Sequence, residues 1–166
     1  MPTIAVIFVG NKLMRDDGIG VHAYERFCET YEIPPCLDVR EVGCMSLDLI
    51  PLVGKCDVVI TVDAVDGTRH PAGTVFRFSP EDMARHSGAN ASLHDLKLVD
   101  LFDAAALLGS SAEGVCFGMQ VEDKDPVEYD LALSPACESA LPLLVESVEA
   151  ELARRGVALE KRAGQK

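Results

Sequence analysis

Five short stretches of the chain carry the hydrophobic pattern of β-strands. Thr3–Val9 is apolar at nearly every position, as a strand buried on both faces of a parallel sheet would be. Leu37–Val42 is shorter and alternates. Asp57–Val62 is again continuous and β-branched, and Val115–Val121 is the last strong run. Thr74–Phe78 alternates Val75 and Arg77 with Phe76 and Phe78, the pattern of an edge strand or half of a hairpin.

Helical spacing fills the gaps. Gly18–Tyr31 places Ile19, Ala23, Arg26, Phe27 and Tyr31 at helical spacing. Ser46–Val53 is a short candidate that Pro51 is expected to distort. Ser79-Pro80-Glu81-Asp82 offers an N-cap, a proline at the first helical position and an acid at the third, for a brief helix to about Arg85. Ser92-Leu93-His94-Asp95 is a second capping box and opens Leu93–Leu108. Ser134-Pro135 starts a last helix that runs to Arg155 and stops at Gly156. Alternating strands and helices with apolar, parallel-type strands predict an α/β protein. The expected form is a three-layer α/β/α sandwich with a mostly parallel, twisted sheet of about five strands. The 166 residues suit one domain over 1–157, followed by a polar, frayed C-terminal tail at 158–166.

Charge narrows the partners. The 27 acidic and 15 basic side chains give a formal net charge of −12. That opposes a grip on nucleic acid or on anionic lipid. No run approaches the roughly 20 apolar residues of a membrane span, and Met1-Pro2-Thr3 has no basic region of the kind that opens an export signal. Six cysteines form no CxxC and no zinc-ribbon spacing, which suits a reducing cytoplasm.

The chemistry is sought beyond the carboxyl ends of the strands, where open α/β sheets build their sites. The first strand runs into Gly10-Asn11-Lys12-Leu13-Met14-Arg15-Asp16-Asp17-Gly18-Ile19-Gly20. Its glycines do not have the spacing of a dinucleotide or P-loop fingerprint, and its two aspartates would repel a phosphate. The third strand delivers Asp63 in Val62-Asp63-Ala64-Val65-Asp66-Gly67. If the two strands are neighbours, Asp63 and one of Asp16 and Asp17 come close, and a divalent cation would relieve their repulsion. Any of these acids could equally cap a helix or face solvent. Of the four histidines, His94 opens a capped helix, His70 lies in the acidic loop, His22 follows Asp17 by five residues and His86 is the weakest candidate. Two carboxylates and one imidazole are too few for a closed structural zinc site, but suit an open or borrowed metal. No G-x-S-x-G, H-E-x-x-H or D-(S/T)-G occurs, so a serine or thiol nucleophile has no support.

Val9–Gly20 closely resembles the N-terminal signature of the NiFe-hydrogenase maturation proteases, G-N-x-L-x-x-D-(D/E)-x-x-G. The likeness continues in Val62-Asp63-Ala64, in Pro71-Ala72-Gly73-Thr74-Val75, in Ser92-Leu93-His94-Asp95-Leu96 and in Pro135 with the final helix, over roughly residues 3–155. The resemblance implies a monomeric, cytoplasmic α/β/α endopeptidase. Its partner would be the precursor of the hydrogenase large subunit, whose C-terminal extension it removes after nickel insertion. It further implies that Asp17, Asp63 and His94 contact nickel supplied by the substrate, with no tightly bound cofactor of the protein's own. Asp17 or Asp16 is then a candidate general base. The family often has Glu where Asp17 stands, and usually a Gly-Thr pair where this chain has Gly43-Cys44. A non-catalytic precursor-binding chaperone and a nucleotide- or phosphate-binding module are the alternatives.

Overall fold

The computed structural model describes residues 2–44, 46–82, 98–122 and 129–163. Strands β1 (Ile4–Phe8), β3 (Leu37–Glu41), β4 (Val58–Val65) and β6 (Glu113–Gln120) are parallel to one another. Strand β5 (Val75–Phe78) pairs antiparallel with β6 at the sheet edge, so the order is β3-β1-β4-β6-β5.

The continuous apolar run of β1 is explained by its two faces. Ile4, Val6 and Phe8 point into one core with Ile19, Ala23 and Phe27 of α1 (Ile19–Thr30) and Leu144, Val148 and Leu152 of α4 (Pro135–Arg154). Ala5, Ile7 and Val9 point into a second core, with Val53 of α2 (Ile50–Val53) and Leu101 and Ala105 of α3 (Leu98–Leu107). Helices thus cover both faces, giving three layers. The sandwich expected from the alternation of elements is the one observed.

Several elements differ in detail from their expected extents. Pro51 does not distort a helix interior: it sits in the first turn of α2, after a 3-10 turn at Leu47–Leu49 that Ser46 caps. Strand β4 continues three residues past Val62, because the Asp63↔Gly118, Ala64↔Met119 and Val65↔Gln120 pairs extend its ladder with β6. Most of the segment 93–108 expected as one helix lies among the described residues, and these form α3; His86 and His94 lie outside them.

Within the tail, Glu160–Arg162 is paired where fraying was expected. Strand β7 (Glu160–Lys161) forms an antiparallel ribbon with β2 (Tyr31–Glu32). Arg162 Nε then donates to the carbonyls of Cys28 at 2.9 Å and Tyr31 at 3.1 Å, satisfying groups that the end of α1 leaves open.

The topology also places a crevice. The chain leaves β1, passes through α1 on one face to β3, then returns through α2 on the other face to β4 on the opposite side of β1. The carboxyl ends of β1 and β4 therefore flank a switch point, where the two connections diverge.

Candidate active site

The loop after β1 is a compact, hydrogen-bonded turn. Val9 N–H donates to Val62 O at 2.9 Å and Gly10 N–H to Gly43 O at 2.8 Å, which fasten it to both neighbouring strands. Asn11 Oδ1 accepts from Leu13 N–H at 3.1 Å, an Asx turn, and Asn11 N–H donates to Asp17 O at 3.2 Å. The glycines serve close approach. A Cβ on Gly10 would lie 2.4 Å from Asp17 O, and one on Gly20 would lie 1.9 Å from Val9 O. The first turn of α1 is therefore pressed against the end of β1, and the 3-10 turn Arg15–Gly18 packs beside β4.

The two aspartates on that turn have different surroundings. Asp16 is fully buried. Its Oδ1 accepts the Ser134 amide at 2.7 Å and its Oδ2 the Glu122 amide at 3.0 Å. Asp17 is half-buried. Asp63 is also half-buried, and its Oδ1 accepts from Ala64 N–H at 2.7 Å. Strands β1 and β4 are paired, with Phe8 opposite Val62, so the Asp17 turn and Asp63 belong to the same end of adjacent strands. Strand β1 stops at Phe8 while β4 runs on to Val65, so Asp63 sits on the part of β4 that projects past its neighbour.

The acidic loop that follows is stapled down by Gln120, which belongs to no sequence motif. Buried Gln120 accepts at Oε1 from the Thr68 N–H, at 3.0 Å, and from the Thr68 hydroxyl. Its Nε2 donates to Asp66 Oδ1 at 3.2 Å and to Val121 O at 2.8 Å. Every polar group of this amide is thus engaged. Gly67 follows at φ 72°, and its amide donates to Asp66 Oδ1 at 2.7 Å. A glutamine at the end of an apolar strand carries no motif; only its burial would have marked it.

His70 and His22 make contacts of their own. Exposed His70 holds the Thr68 carbonyl at 2.9 Å through Nδ1 and meets the Phe76 ring edge-on. His22 Nε2 lies 3.0 Å from Leu131 O. The latter contact helps seat the segment 129–131 over the loop, as do the backbone bonds Arg15 N–H to Asp130 O at 2.8 Å and Asp130 N–H to Leu13 O at 3.1 Å. Leu13, Tyr129 and Leu131 stand exposed beside one another there. Cys44 is exposed next to Gly43, whose carbonyl the Gly10 amide engages.

Thiol chemistry has no candidate among the inward-facing cysteines. Burial pushes the Cys116 thiol up to about 12 and raises that of Cys137, so neither offers a thiolate near neutrality. Among the described residues no three His, Cys, Asp or Glu side chains cluster closely enough to hold a metal ion. Asp17 and Asp63 supply carboxylate oxygens only, and His94 lies outside the described residues.

Comparison with known proteins agrees with this architecture. The family model for hydrogenase maturation proteases matches residues 21–151. The hydrogenase expression/formation protein HoxM of Azotobacter vinelandii is 31% identical over 165 residues, covering 93% of this chain and 78% of its own. The hydrogenase 2 maturation protease of Escherichia coli K12 is 26% identical, covering 93% of each. The solved structure of the hydrogenase maturating endopeptidase HybD from E. coli superimposes with a TM-score of 0.86 at 26% identity, over 96% of this chain and 98% of that one. With a family model spanning most of its length and a matching fold, the chain belongs to the hydrogenase maturation proteases, which makes it a peptide-bond hydrolase.

Proposed function

We propose that this endopeptidase removes the C-terminal extension of a NiFe-hydrogenase large-subunit precursor, and does so only once nickel is in place. The observation that carries the reading is the pair of half-buried carboxylates, Asp17 and Asp63, at the switch point of the sheet. Both come from segments held by backbone bonds, so they are presented on a rigid frame. With the imidazole of His94 they make a donor set of two oxygens and one nitrogen, acceptable to nickel(II) but short of a full shell. The remaining ligands come with the metal, on the precursor.

The metal is thus part of the substrate, and its presence completes the site. A nickel ion so placed polarises the scissile carbonyl or its attacking water. A carboxylate within reach accepts the proton that the water gives up. An unloaded precursor lacks the group that these side chains recognise, and is not cut. The protein acts in the cytoplasm as a monomer and carries no cofactor of its own.

The test is a processing assay read by mass, with purified protein and cognate precursor in nickel-loaded and nickel-free forms. Loss of the C-terminal peptide from the loaded form alone is the expected result. Equal cleavage of both removes nickel as the recognition element, and cleavage of neither overturns the assignment of substrate.

A further inference from the structure

Asp16 is a charged side chain in an unusual position. It is next to Asp17 in sequence and on the same 3-10 turn, yet it is 0% exposed while Asp17 reaches the surface. Burying a carboxylate is costly unless its oxygens are satisfied. Here each oxygen accepts a backbone amide, Oδ1 from Ser134 and Oδ2 from Glu122. These donors lie 118 and 106 residues away in sequence. Ser134 is the N-cap of the 20-residue helix α4, whose positive end also favours an anion. Glu122 lies two residues beyond the end of β6.

The carboxylate thus joins three separate segments: the turn after β1, the exit of β6 and the start of α4. The turn is also held by backbone bonds, Arg15 N–H to Asp130 O at 2.8 Å and Asn11 N–H to Asp17 O at 3.2 Å, and the Asp16 side chain adds the ties to β6 and α4. It carries Arg15 at φ 49°, a left-handed conformation that a non-glycine residue adopts only when its surroundings impose it.

We infer that Asp16 is a positioning residue, whose clamp on the Glu122 and Ser134 amides fixes the turn that presents Asp17. This rests on the reading that Asp17 meets the substrate. It assigns Asp16 no contact with substrate and no proton transfer, so of the two candidate bases only Asp17 remains.

The test compares Asp16→Asn with Asp17→Asn and with Leu144→Ala, a core change in α4 distant in kind from the site. Asp16→Asn keeps the shape but replaces one acceptor oxygen by an NH2 group facing an amide donor. Amide exchange over residues 11–18 should quicken in Asp16→Asn and stay at the wild-type rate in Asp17→Asn. Processing of nickel-loaded precursor by Asp16→Asn should lose about ten- to a hundredfold in kcat, with KM little changed. Leu144→Ala should be destabilised without that loss of kcat. Unchanged exchange in Asp16→Asn overturns the clamp. Quickened exchange with full kcat overturns its role in presenting Asp17. Failure of the wild-type chain to process the loaded precursor overturns the functional reading instead, while the exchange rates still decide whether the clamp exists.

Discussion

Gly20 lies so close to Val9 that a Cβ at position 20 would come within 1.9 Å of the Val9 carbonyl oxygen. A helix position ordinarily gains about 1 kcal/mol when Gly becomes Ala. Here the sign should reverse. Gly20→Ala forces α1 away from the end of β1, and overpacking of this kind costs about 1–3 kcal/mol or more. The midpoint of urea unfolding, compared with wild type, reads the sign directly.

Asp63→Asn should separate chemistry from folding. The variant keeps an oxygen to accept the Ala64 amide, so the local backbone bond survives. The negative charge is lost. Processing of nickel-loaded precursor is expected to fall by about a hundredfold or more, with an unchanged melting temperature. His94→Ala should lose processing in the same assay. Retained processing in both variants would refute their proposed role.

Gln120→Leu tests the staple on the acidic loop. The substitution nearly conserves volume but leaves the Thr68 amide and hydroxyl without their acceptor. Leaving such a group unsatisfied costs about 1–3 kcal/mol. The loss should appear as a lower melting temperature and as faster amide exchange confined to residues 66–70.

Acid stability should depend on Glu151. Burial alone would raise its pKa, but hydrogen bonds from Arg77, Arg154 and Arg155 outweigh this and hold the carboxyl at about 2. A pKa depressed in the folded state contributes stability that is complete above the unfolded value and is lost as pH falls toward the folded one. The window is therefore about pH 4.5 down to about pH 2. Glu151→Gln leaves Arg77 and Arg155 short of a partner and should cost about 2–4 kcal/mol at neutral pH. The gap between wild type and variant, measured by urea unfolding at a series of pH values, should close as pH falls through that window.

The local pattern of residues was enough to locate the central strands and the long helices. Continuous β-branched runs can be buried on both faces only in a covered parallel sheet, and the Ser79 cap and the proline of Ser134-Pro135 mark helix starts by simple local chemistry. Strand β4 shows where local pattern falls short. Asp63-Ala64-Val65 reads as the start of a loop, yet pairing with Gly118–Gln120 carries the strand through it. The β2–β7 ribbon was likewise hidden, since each strand is two residues long and polar at most positions, and only the docking of Arg162 on the end of α1 brings them together.

What the sequence by itself determined is the alternation of elements, the placing of acids after the first and third strands, and a loop signature specific enough to suggest a family. What only the tertiary structure decided is how those acids differ. Asp16 and Asp17 are the same residue type at adjacent positions, and no local rule tells them apart. The amides of Glu122 and Ser134, brought in from the far end of the chain, bury one and leave the other at the surface. Solvation and hydrogen bonding set what a carboxylate can do, and both belong to the folded neighbourhood rather than to the residue.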